Sequence, residues 1–563
     1  MGDCFVASLL AMTADRVGFI SSSCYSGRTM SGRPNFVLFI TDQHRADYLS
    51  CYGHPVLKTP HIDSIAARGV SFDRFYVATP VCMPNRATLM TGRMPSVHGT
   101  RSNGMPLSLS ANTFVDALRA GGYATALVGK SHLQNFTGFG PILKRPPPRD
   151  GDRALPDEFA EARKPVAGEG PYGQELPNRW SAGRDFAMQL PFYGFEHVDL
   201  CTDHGHRVGG HYYVWLKAQR ADADALRDAK NQLPHDYVCP QAIRTAVPEE
   251  LYPTRYIAEK ACEWLDRRTA AREDKPFFLM VSFPDPHHPF TPPGRYWSMF
   301  RPDDMALPPS FDHGNRPLAR PVAWALEQRA KGTAELAGQA AFAVDEREAR
   351  EAMALSCGMI AMIDDCVGTV LARLAASGLA DDTVVIFTTD HGDYLGDHRL
   401  LLKGPAHYEG ITHVPFIWAE PGRRPARRSD GLSGTLDIAP TILDRAQIAP
   451  YNGIQGESLL PLIDGEPSAA VRDCLVIEDD QQRATFGFAS PPRLRTLITQ
   501  GYRMTIAHGD PYGELYDRQA DPHEMDNLFD DAAHRAVRAE LMERLAYREM
   551  ALADRSPLPT GRA

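Results

Sequence analysis

The chain has 563 residues, of which 43% are hydrophobic and 23% are charged, a length and composition that suit two globular domains and exclude extensive disorder. The 60 basic and 70 acidic side chains give a net charge of −10, which argues against nucleic acid as a partner. We expect no membrane span, because no apolar run reaches the roughly 18–20 residues that a membrane helix needs.

The first 33 residues are predicted to be an extension upstream of the folded chain. Residues 4–12 form a short apolar stretch, but Asp3 precedes it, no basic segment is present and Asp15 and Arg16 follow, which fits a signal peptide poorly. The ten cysteines are scattered without a Cys-x-x-Cys pair, so a disulfide framework is not expected. These features favour a cytoplasmic location.

Four apolar runs are predicted to be strands that are buried on both faces of a parallel sheet. They are residues 35–40, 123–128, 276–283 and 383–387, which lack polar alternation. Polar, reactive side chains follow the carboxyl end of each run, where open α/β sheets place their ligands. The side chains are those of Asp42, Lys130, Asp285 with His287, and Asp390 with His391. We therefore expect the four strands to point at one site.

Helices are predicted between these strands, so the fold class is α/β. Asn112 can cap a helix that ends at Gly121, residues 347–377 carry apolar side chains at helical spacing, and residues 436–443 and 531–547 are further helices. We assign residues 34–445 to a catalytic domain and residues 446–563 to a smaller C-terminal α+β domain. Residues 141–192 and 292–321 are predicted to be long excursions that shape a pocket or a subunit contact.

The most informative stretch is residues 81–92, with the sequence VCMPNRATLMTG. Pro84 fits the first turn of a helix, so Cys82 would stand at a helix N-terminus, where free amides and the macrodipole favour an anion. The alternative is a buried, small apolar residue before a turn. The pattern Cys-x-Pro-x-Arg followed by Thr-Gly closely resembles the sulfatase signature, and in that family the Cys is oxidised to formylglycine, whose hydrate is the nucleophile.

Further landmarks resemble those of the sulfatase branch of the alkaline phosphatase superfamily, in order and over nearly the whole chain from residue 34. They are Thr41-Asp42-Gln43, His98-Gly99, Asn103-Gly104, Gly129-Lys130-Ser131-His132, Pro286-His287-His288-Pro289, Thr389-Asp390-His391-Gly392, Gly396-Asp397-His398, Lys403-Gly404 and Leu515-Tyr516-Asp517. The resemblance implies a large mixed, mostly parallel sheet sandwiched by helices, with a smaller C-terminal domain.

A divalent metal site is predicted from the residue types at two strand ends. Asp42, Gln43, Asp390 and His391 can supply three oxygens and one nitrogen, and the hydroxyl derived from Cys82 can complete the set. Many relatives carry Asp-Asp and Asp-Asn at these positions, so Gln43, an amide in place of a carboxylate, makes this site less negative. The imidazole shifts the expected preference from Ca²⁺ somewhat toward Mn²⁺.

The resemblance also implies roles for the other polar residues. Arg86 would hold the nucleophile, Lys130 and Lys403 would clamp the ester oxygens, His132 would contact the formylglycine hydrate, and His287 would face the leaving group. His287 is preferred to His288 because the family pattern is Pro-His-x-Pro. Asn103 is a further candidate for a polar substrate contact, with a turn residue as the alternative.

A dense group of potential zinc ligands between residues 201 and 211 does not fit a zinc finger. It contains Cys201, Asp203, His204, His206 and His211, but only one is a Cys and the spacing matches no known finger. We interpret it as a loop near the pocket that can touch substrate.

The first functional hypothesis is a hydrolase of sulfate monoesters, such as aryl or other small organic sulfates. By resemblance, one hydroxyl of the aldehyde hydrate attacks sulfur and the second then expels sulfate, a double displacement. A phosphonate monoester or phosphodiester hydrolase on the same residues is the second hypothesis, since Gln43 and His391 resemble those of phosphonate monoester hydrolases and choline sulfatases. A binding protein with an unmodified Cys82 is the third. The expected partners are a small sulfate or phosphonate ester and a formylglycine-generating enzyme, and a homo-oligomer is consistent with the long loops.

Overall fold

In the computed structural model, residues 32–143, 147–153, 155, 156, 159, 162, 170–180, 187–422, 426–466 and 472–562 are described. The predicted extension over residues 1–33 therefore lies outside them, apart from its last two residues. Much of the excursion at 141–192 does so as well.

Sixteen strands are present in the described part of the chain. They are β1 (Asn35–Thr41), β2 (Gly69–Phe72), β3 (Phe75–Tyr76), β4 (Ala124–Lys130), β5 (His197–Cys201), β6 (Phe277–Ser282), β7 (Phe342–Ala343), β8 (Thr383–Thr389), β9 (Leu400–Leu401), β10 (Phe416–Ala419), β11 (Arg427–Ser429), β12 (Ser433–Gly434), β13 (Cys474–Asp480), β14 (Arg493–Thr499), β15 (Tyr502–Ala507) and β16 (Gly513–Asp517).

Fourteen α-helices are present in the same described residues. They are α1 (Pro60–Ala66), α2 (Cys82–Thr91), α3 (Pro95–His98), α4 (Phe114–Ala120), α5 (Pro177–Trp180), α6 (His211–Gln219), α7 (Ala223–Arg227), α8 (Pro253–Ala271), α9 (Arg320–Lys331), α10 (Glu346–Ala376), α11 (Glu409–Thr412), α12 (Ile438–Arg445), α13 (Leu460–Asp464) and α14 (Arg535–Ala551).

The main sheet has eight strands in the order β11-β2-β10-β8-β1-β6-β4-β5. β1 lies at its centre and pairs in parallel with β6 and β8, while β4 pairs in parallel with β6 and β5. β10 runs antiparallel to both β8 and β2. The sheet is therefore mixed and mostly parallel, which confirms the predicted fold class.

Both faces of β1 are buried, as its unbroken apolar sequence predicts. Val37 and Phe39 belong to the core on one face, together with apolar residues of α8 and α10. Phe36, Leu38 and Ile40 belong to the core on the other face, with residues of α2, α4 and α12. Because successive side chains of a strand point to opposite faces, one apolar run serves two layers of helices.

The predicted helices differ from the observed ones mainly at their ends. Thr113, not Asn112, caps α4, because its hydroxyl accepts the Asp116 amide at 3.0 Å while the Asp116 carboxylate accepts the Thr113 amide. α10 begins one residue earlier than predicted and is capped in the same reciprocal way by Asp345 and Glu348. α14 begins at Arg535 after a short 3-10 turn.

α10 is, within the described residues, the helix whose length and apolar composition would suffice to cross a membrane. Of its most apolar 18-residue window, 78% is buried inside the protein. It packs against α8 in the core below the sheet, so its apolar surface already has a partner.

Strands β13 to β16 form a separate antiparallel sheet in sequential order. Val476, Leu497, Met504 and Leu515 from this sheet form one apolar cluster with Leu541 of α14 and other residues. A sheet and helix of this kind agree with the α+β class that was predicted for the C-terminal part.

Candidate active site

The carboxyl ends of β1, β8, β4 and β6 meet at one edge of the main sheet. Thr41 and Thr389, the last residues of β1 and β8, are paired in register, so Asp42 and Asp390 follow side by side. Lys130 is the last residue of β4, and His287 follows β6 after a short turn. The four strands therefore bring their polar residues to one place, as their order in the sequence predicts.

Two aspartates and one arginine form the charged base of the site, and all three side chains are buried. Arg86 donates from Nε to Asp390 Oδ2 at 2.7 Å, and its NH2 lies 3.3 Å from Asp42 Oδ2. Burial alone would raise the pKa of Asp42, but Lys130 and Arg86 hold that pKa well below its usual range. Asp42 is therefore an ionised ligand-type group at neutral pH.

Cys82 is the first residue of α2 and faces this base. Its Sγ lies 2.9 Å from His391 Nε2, 3.1 Å from Lys403 Nζ and 3.7 Å from Asp42 Oδ1. Although Cys82 stands at a helix N-terminus, burial and then the Asp42 charge raise the pKa of its thiol to about 11. An unmodified Cys82 is thus a neutral thiol at pH 7.

Two lysines reach the site. Lys130 Nζ forms a close ion pair with Asp42 and lies 2.6 Å from His204 Nε2. Lys403 Nζ lies 3.0 Å from the Nε2 atoms of both His287 and His391, in addition to its contact with Cys82. Both ammonium groups therefore point into the space next to position 82.

Histidine rings form one wall of the site. His287 donates from Nδ1 to the His288 carbonyl oxygen at 2.6 Å, which leaves Nε2 facing Lys403. Burial, then the charges of His204 and Lys403, holds the pKa of His287 well below its usual range, so the ring is neutral. His204 stacks on His287 with ring centroids 3.6 Å apart.

His204 is a site residue that sequence reasoning did not select. Its loop was predicted to lie near the pocket and touch substrate, but His204 was not singled out within that loop. It follows β5, whose carboxyl end lies beside that of β4. The strand-end rule that found Lys130 could have found it, had residues 197–201 been recognised as a strand.

The remaining predicted residues lie around this centre. His132 is buried, with its ring 4.0 Å from that of Phe136. Gln43 accepts from Lys403 Nζ at 3.1 Å through Oε1, and its Nε2 contacts Asp393. Asn103 accepts the Met83 amide at 3.1 Å and so caps the first turn of α2, next to Cys82. Asn103 also lies in a turn that the Met105 amide closes by donating to the Ser102 carbonyl at 3.2 Å, which agrees with the turn alternative, and its contact with substrate stays a prediction.

The donor set fits a divalent cation. One ligand atom each from Asp42, Cys82, Asp390 and His391 lies within 4.8 Å of the others, and all four residues are buried. A second group of Asp42, His204 and His287 meets the same distance limit, but the Lys130 ammonium contacts both Asp42 and His204. The first group contains four of the five residues that were predicted as metal ligands.

The charges favour an anionic ligand. Arg86, Lys130 and Lys403 carry three positive charges around the two carboxylates of Asp42 and Asp390, an excess of one. A bound divalent cation would raise this excess to three. In a buried site such an excess attracts a sulfate, phosphate or phosphonate group strongly.

Comparison with known proteins gives two matching family models. The model described as "Sulfatase" matches residues 34–448, and the one described as "N-sulphoglucosamine sulphohydrolase, C-terminal" matches residues 396–551. The multifunctional alkaline phosphatase superfamily protein PehA of Trinickia caryophylli is 28% identical over 552 residues, which cover 93% of this chain and 96% of PehA.

An arylsulfatase of Clostridium perfringens is 27% identical over 94% of this chain and 98% of its own length. Among solved structures, the phosphonate monoester hydrolase of Agrobacterium radiobacter has a TM-score of 0.71 and 26% identity, and the match covers 93% of this chain and 97% of that one. The similarity in both cases extends over the main sheet and the C-terminal sheet together.

Proposed function

The chain belongs to the sulfatase family, and on that premise we propose that it hydrolyses sulfate monoesters with a formylglycine made from Cys82 beside one divalent cation. The observation that supports this most is the position of Cys82, whose Sγ contacts Lys403, His391 and Asp42 in a buried, positively charged site. A nucleophile at this atom would meet an ester that the surrounding cations hold.

The chemistry of the thiol supports a modified residue. Because the pKa of Cys82 is about 11, very little thiolate exists at pH 7, and the thiolate is the nucleophilic form of cysteine. The aldehyde hydrate supplies oxygen nucleophiles instead. The neighbouring Lys403 and His391 nitrogen atoms can then hydrogen bond to those oxygens.

Asp42, Gln43, Asp390, His391 and the modified residue 82 would hold the cation, and the Gln43 Oε1 oxygen also accepts from Lys403. When bound, a divalent cation acts as a Lewis acid that withdraws charge from the ester oxygens. Carboxylate and amide oxygens suit Ca²⁺, and the imidazole of His391 extends the choice to Mn²⁺.

The chain's own residues bind and orient the ester. Lys130 and Lys403 offer ammonium groups to its anionic oxygens, and Arg86 holds both aspartates in place through its bonds to them. His287 presents Nε2 to the same space, with its ring orientation set by the bond from Nδ1 to the His288 carbonyl. A proton of the Lys403 ammonium can reach the departing alcohol oxygen through Nε2, which leaves Lys403 as the neutral amine.

Mass spectrometry of the tryptic peptide of residues 75–86 tests the modification directly. In protein made in a cell that contains the formylglycine-generating enzyme, we expect an aldehyde at position 82. Cys82→Ala should abolish hydrolysis of 4-nitrophenyl sulfate without changing the circular dichroism spectrum. Cys262→Ala, in the buried face of α8, is the matched control and should retain activity. A thiol-only peptide in active protein would contradict the proposal, and a thiol-only peptide in inactive protein would favour a binding protein.

Phosphonate monoesters are the second candidate substrates. Gln43 and His391 stand where many relatives have Asp and Asn, and the amide in place of a carboxylate makes the cation site less negative. In addition, the solved phosphonate monoester hydrolase matches nearly the whole chain. We propose to compare kcat/KM for 4-nitrophenyl sulfate and 4-nitrophenyl phenylphosphonate. Because both esters are monoanions with the same leaving group, the ratio isolates the reacting centre. A ratio above 10 in favour of the phosphonate would reverse our order of the two functions.

A further inference from the structure

The residues that follow β4 form a turn with an unusual backbone. We refer to Ser131, His132, Leu133 and Gln134 as the 131–134 turn. His132 has φ 56°, in the left-handed region that a histidine adopts at an energetic cost. Surrounding contacts must therefore hold this backbone in place.

A buried carboxylate provides those contacts. Glu175 has no exposed surface, and it accepts three successive backbone amides of the turn, each at 3.0 Å. The His132 amide donates to Oε2, and the Leu133 and Gln134 amides donate to Oε1. Burial raises the pKa of Glu175 to about 7, and these three amides oppose the rise.

Glu175 belongs to a segment that docks on the turn as a unit. The Gln174 amide donates to Gln134 Oε1 at 3.0 Å, and Gln134 Nε2 donates to the Pro171 carbonyl at 2.7 Å. Trp180, which is buried, donates from Nε1 to the Gln174 carbonyl at 3.1 Å. Residues 170–180 of the 141–192 excursion therefore pack against the 131–134 turn.

The turn places His132 beside the site, with the Phe136 ring between it and the Lys130 and His204 side chains. Its ring contacts that of Phe136, and the Phe136 ring in turn lies 5.5 Å from His204 and 5.3 Å from Lys130 Nζ. Burial and then the Lys130 and His204 charges hold the pKa of His132 well below its usual range. The charges of Lys130 and His204 therefore influence the ionisation of His132.

We propose that Glu175 is a positioning residue for hydrolysis: its carboxylate holds the 131–134 turn so that His132 stands in the active site. The expected loss of activity on mutation of Glu175 rests on the proposed function. The expected movement of His132 rests only on the observed hydrogen bonds. Glu175 does not touch substrate. It acts through the His132 amide, so its effect depends on His132.

Glu175→Gln tests the proposal with little change of shape. Glutamine can place its oxygen against the Leu133 and Gln134 amides, but its NH₂ group then faces the His132 N–H, donor against donor. Displacements of about 1 Å in a catalytic group lower rates by about 100-fold, so we expect kcat/KM to fall about 10- to 100-fold, mainly through kcat. Glu175→Asp keeps the carboxylate but withdraws it from the turn by one methylene group. We expect a smaller fall in kcat/KM, again mainly through kcat.

Asp364 offers a matched control on α10. It is a buried carboxylate that accepts the backbone amides of His61 and Ile62, and burial raises its pKa to about 7. Asp364→Asn therefore imposes a similar loss of a buried carboxylate away from the active site. We expect its kcat/KM to stay within about 2-fold of the wild type. An equal kinetic loss in both variants would overturn the proposal, because it would reflect general loosening of the fold.

A double-mutant cycle with His132→Ala separates positioning from structure. If Glu175 acts through His132, Glu175→Gln should lower kcat/KM by less than about 2-fold in the His132→Ala background. Multiplication of the two single losses would overturn the proposal.

Crystal structures of the wild type, Glu175→Gln and Asp364→Asn provide a readout that needs no activity. We expect the His132 ring to move relative to residue 82 in Glu175→Gln only, and an unmoved ring would refute the inference. If the wild type hydrolyses neither 4-nitrophenyl ester, the proposed function fails, while the crystal structures still decide the role of Glu175. Should Glu175→Gln not fold, the same comparison is made with Glu175→Asp.

Discussion

Replacement of Arg86 by alanine removes the buried cation that the two aspartates of the site share. Arg86 is 1% exposed, and the side chains of Asp42 and Asp390 have no exposed surface. Loss of one partner from a buried ion pair costs about 3–5 kcal/mol, because it leaves an uncompensated charge in the protein interior. Asp42 keeps its ion pair with Lys130, so the penalty falls mainly on Asp390. We therefore expect the free energy of unfolding to fall by about 3–5 kcal/mol, and not by twice that amount.

Urea unfolding followed by tryptophan fluorescence, in buffer with a chelator, measures this loss. Arg373→Ala is the control, since Arg373 pairs with Asp266 at 3.1 Å while the two side chains are 47% and 49% exposed. Exposed pairs of this kind contribute about 0.2–1 kcal/mol. A divalent cation should restore part of the stability of Arg86→Ala, because it neutralises the same carboxylates. If Arg86→Ala unfolds at the same urea concentration as Arg373→Ala, the two aspartates do not depend on Arg86 as a countercharge.

Three further outcomes are expected. Burial raises the pKa of Asp364 from 3.8 to about 7, so the stability that its protonated form contributes is present below pH 4 and is lost as the pH rises to about 7. This loss amounts to at most about 4 kcal/mol, and urea unfolding at several pH values should show a flatter profile for Asp364→Asn than for the wild type. Parallel pH profiles of the two proteins would refute the assignment. In a thermal shift assay, Ca²⁺ or Mn²⁺ added to chelator-treated protein at 100 times the dissociation constant should raise the melting temperature by an amount equivalent to about 2.7 kcal/mol of stability. Asp390→Asn should lose most of that increase. If Asp390→Asn shows the full increase, the cation binds at another place. Gly129 has φ 111°, and a Cβ there would overlap the Ser282 carbonyl oxygen of the neighbouring strand. Calorimetry should therefore show that Gly129→Ala is about 2–4 kcal/mol less stable than the wild type. Equal stability of the two proteins would contradict this.

The site combines strong local charge with almost complete burial. Asp42, Asp390, Arg86 and Lys130 all lie within the protein and contact one another, an arrangement that costs desolvation free energy unless the charges compensate closely. The same burial raises the pKa of Cys82 and lowers that of His287. Function and electrostatics are thus linked, because an anionic ester enters a site whose cations are already fixed by buried partners.

Part of this protein could be predicted from sequence because its signals are local. Apolar runs without polar alternation predicted β1, β4, β6 and β8, and the rule that parallel strands end at one edge predicted that Asp42 and Asp390 would meet. The Cys-x-Pro-x-Arg pattern placed Cys82 at the start of a helix, where α2 begins. These features depend on the order of residues within one element and on a general property of sheets.

Other features depend on residues that are distant in the chain and were decided only by tertiary structure. Glu175 and the 131–134 turn are about 40 residues apart, and neither carries a pattern that announces the other. The choice of Thr113 over Asn112 as the cap of α4 depends on the hydrogen bonds that form around these residues. The ionisation of the Cys82 sulfur at neutral pH depends on its burial and on the charges that pack against it. The chain order therefore determined which chemical groups reach the sheet edge, whereas burial and long-range packing determined their orientation and ionisation, because hydrogen-bond geometry and desolvation exist only once the distant segments have met.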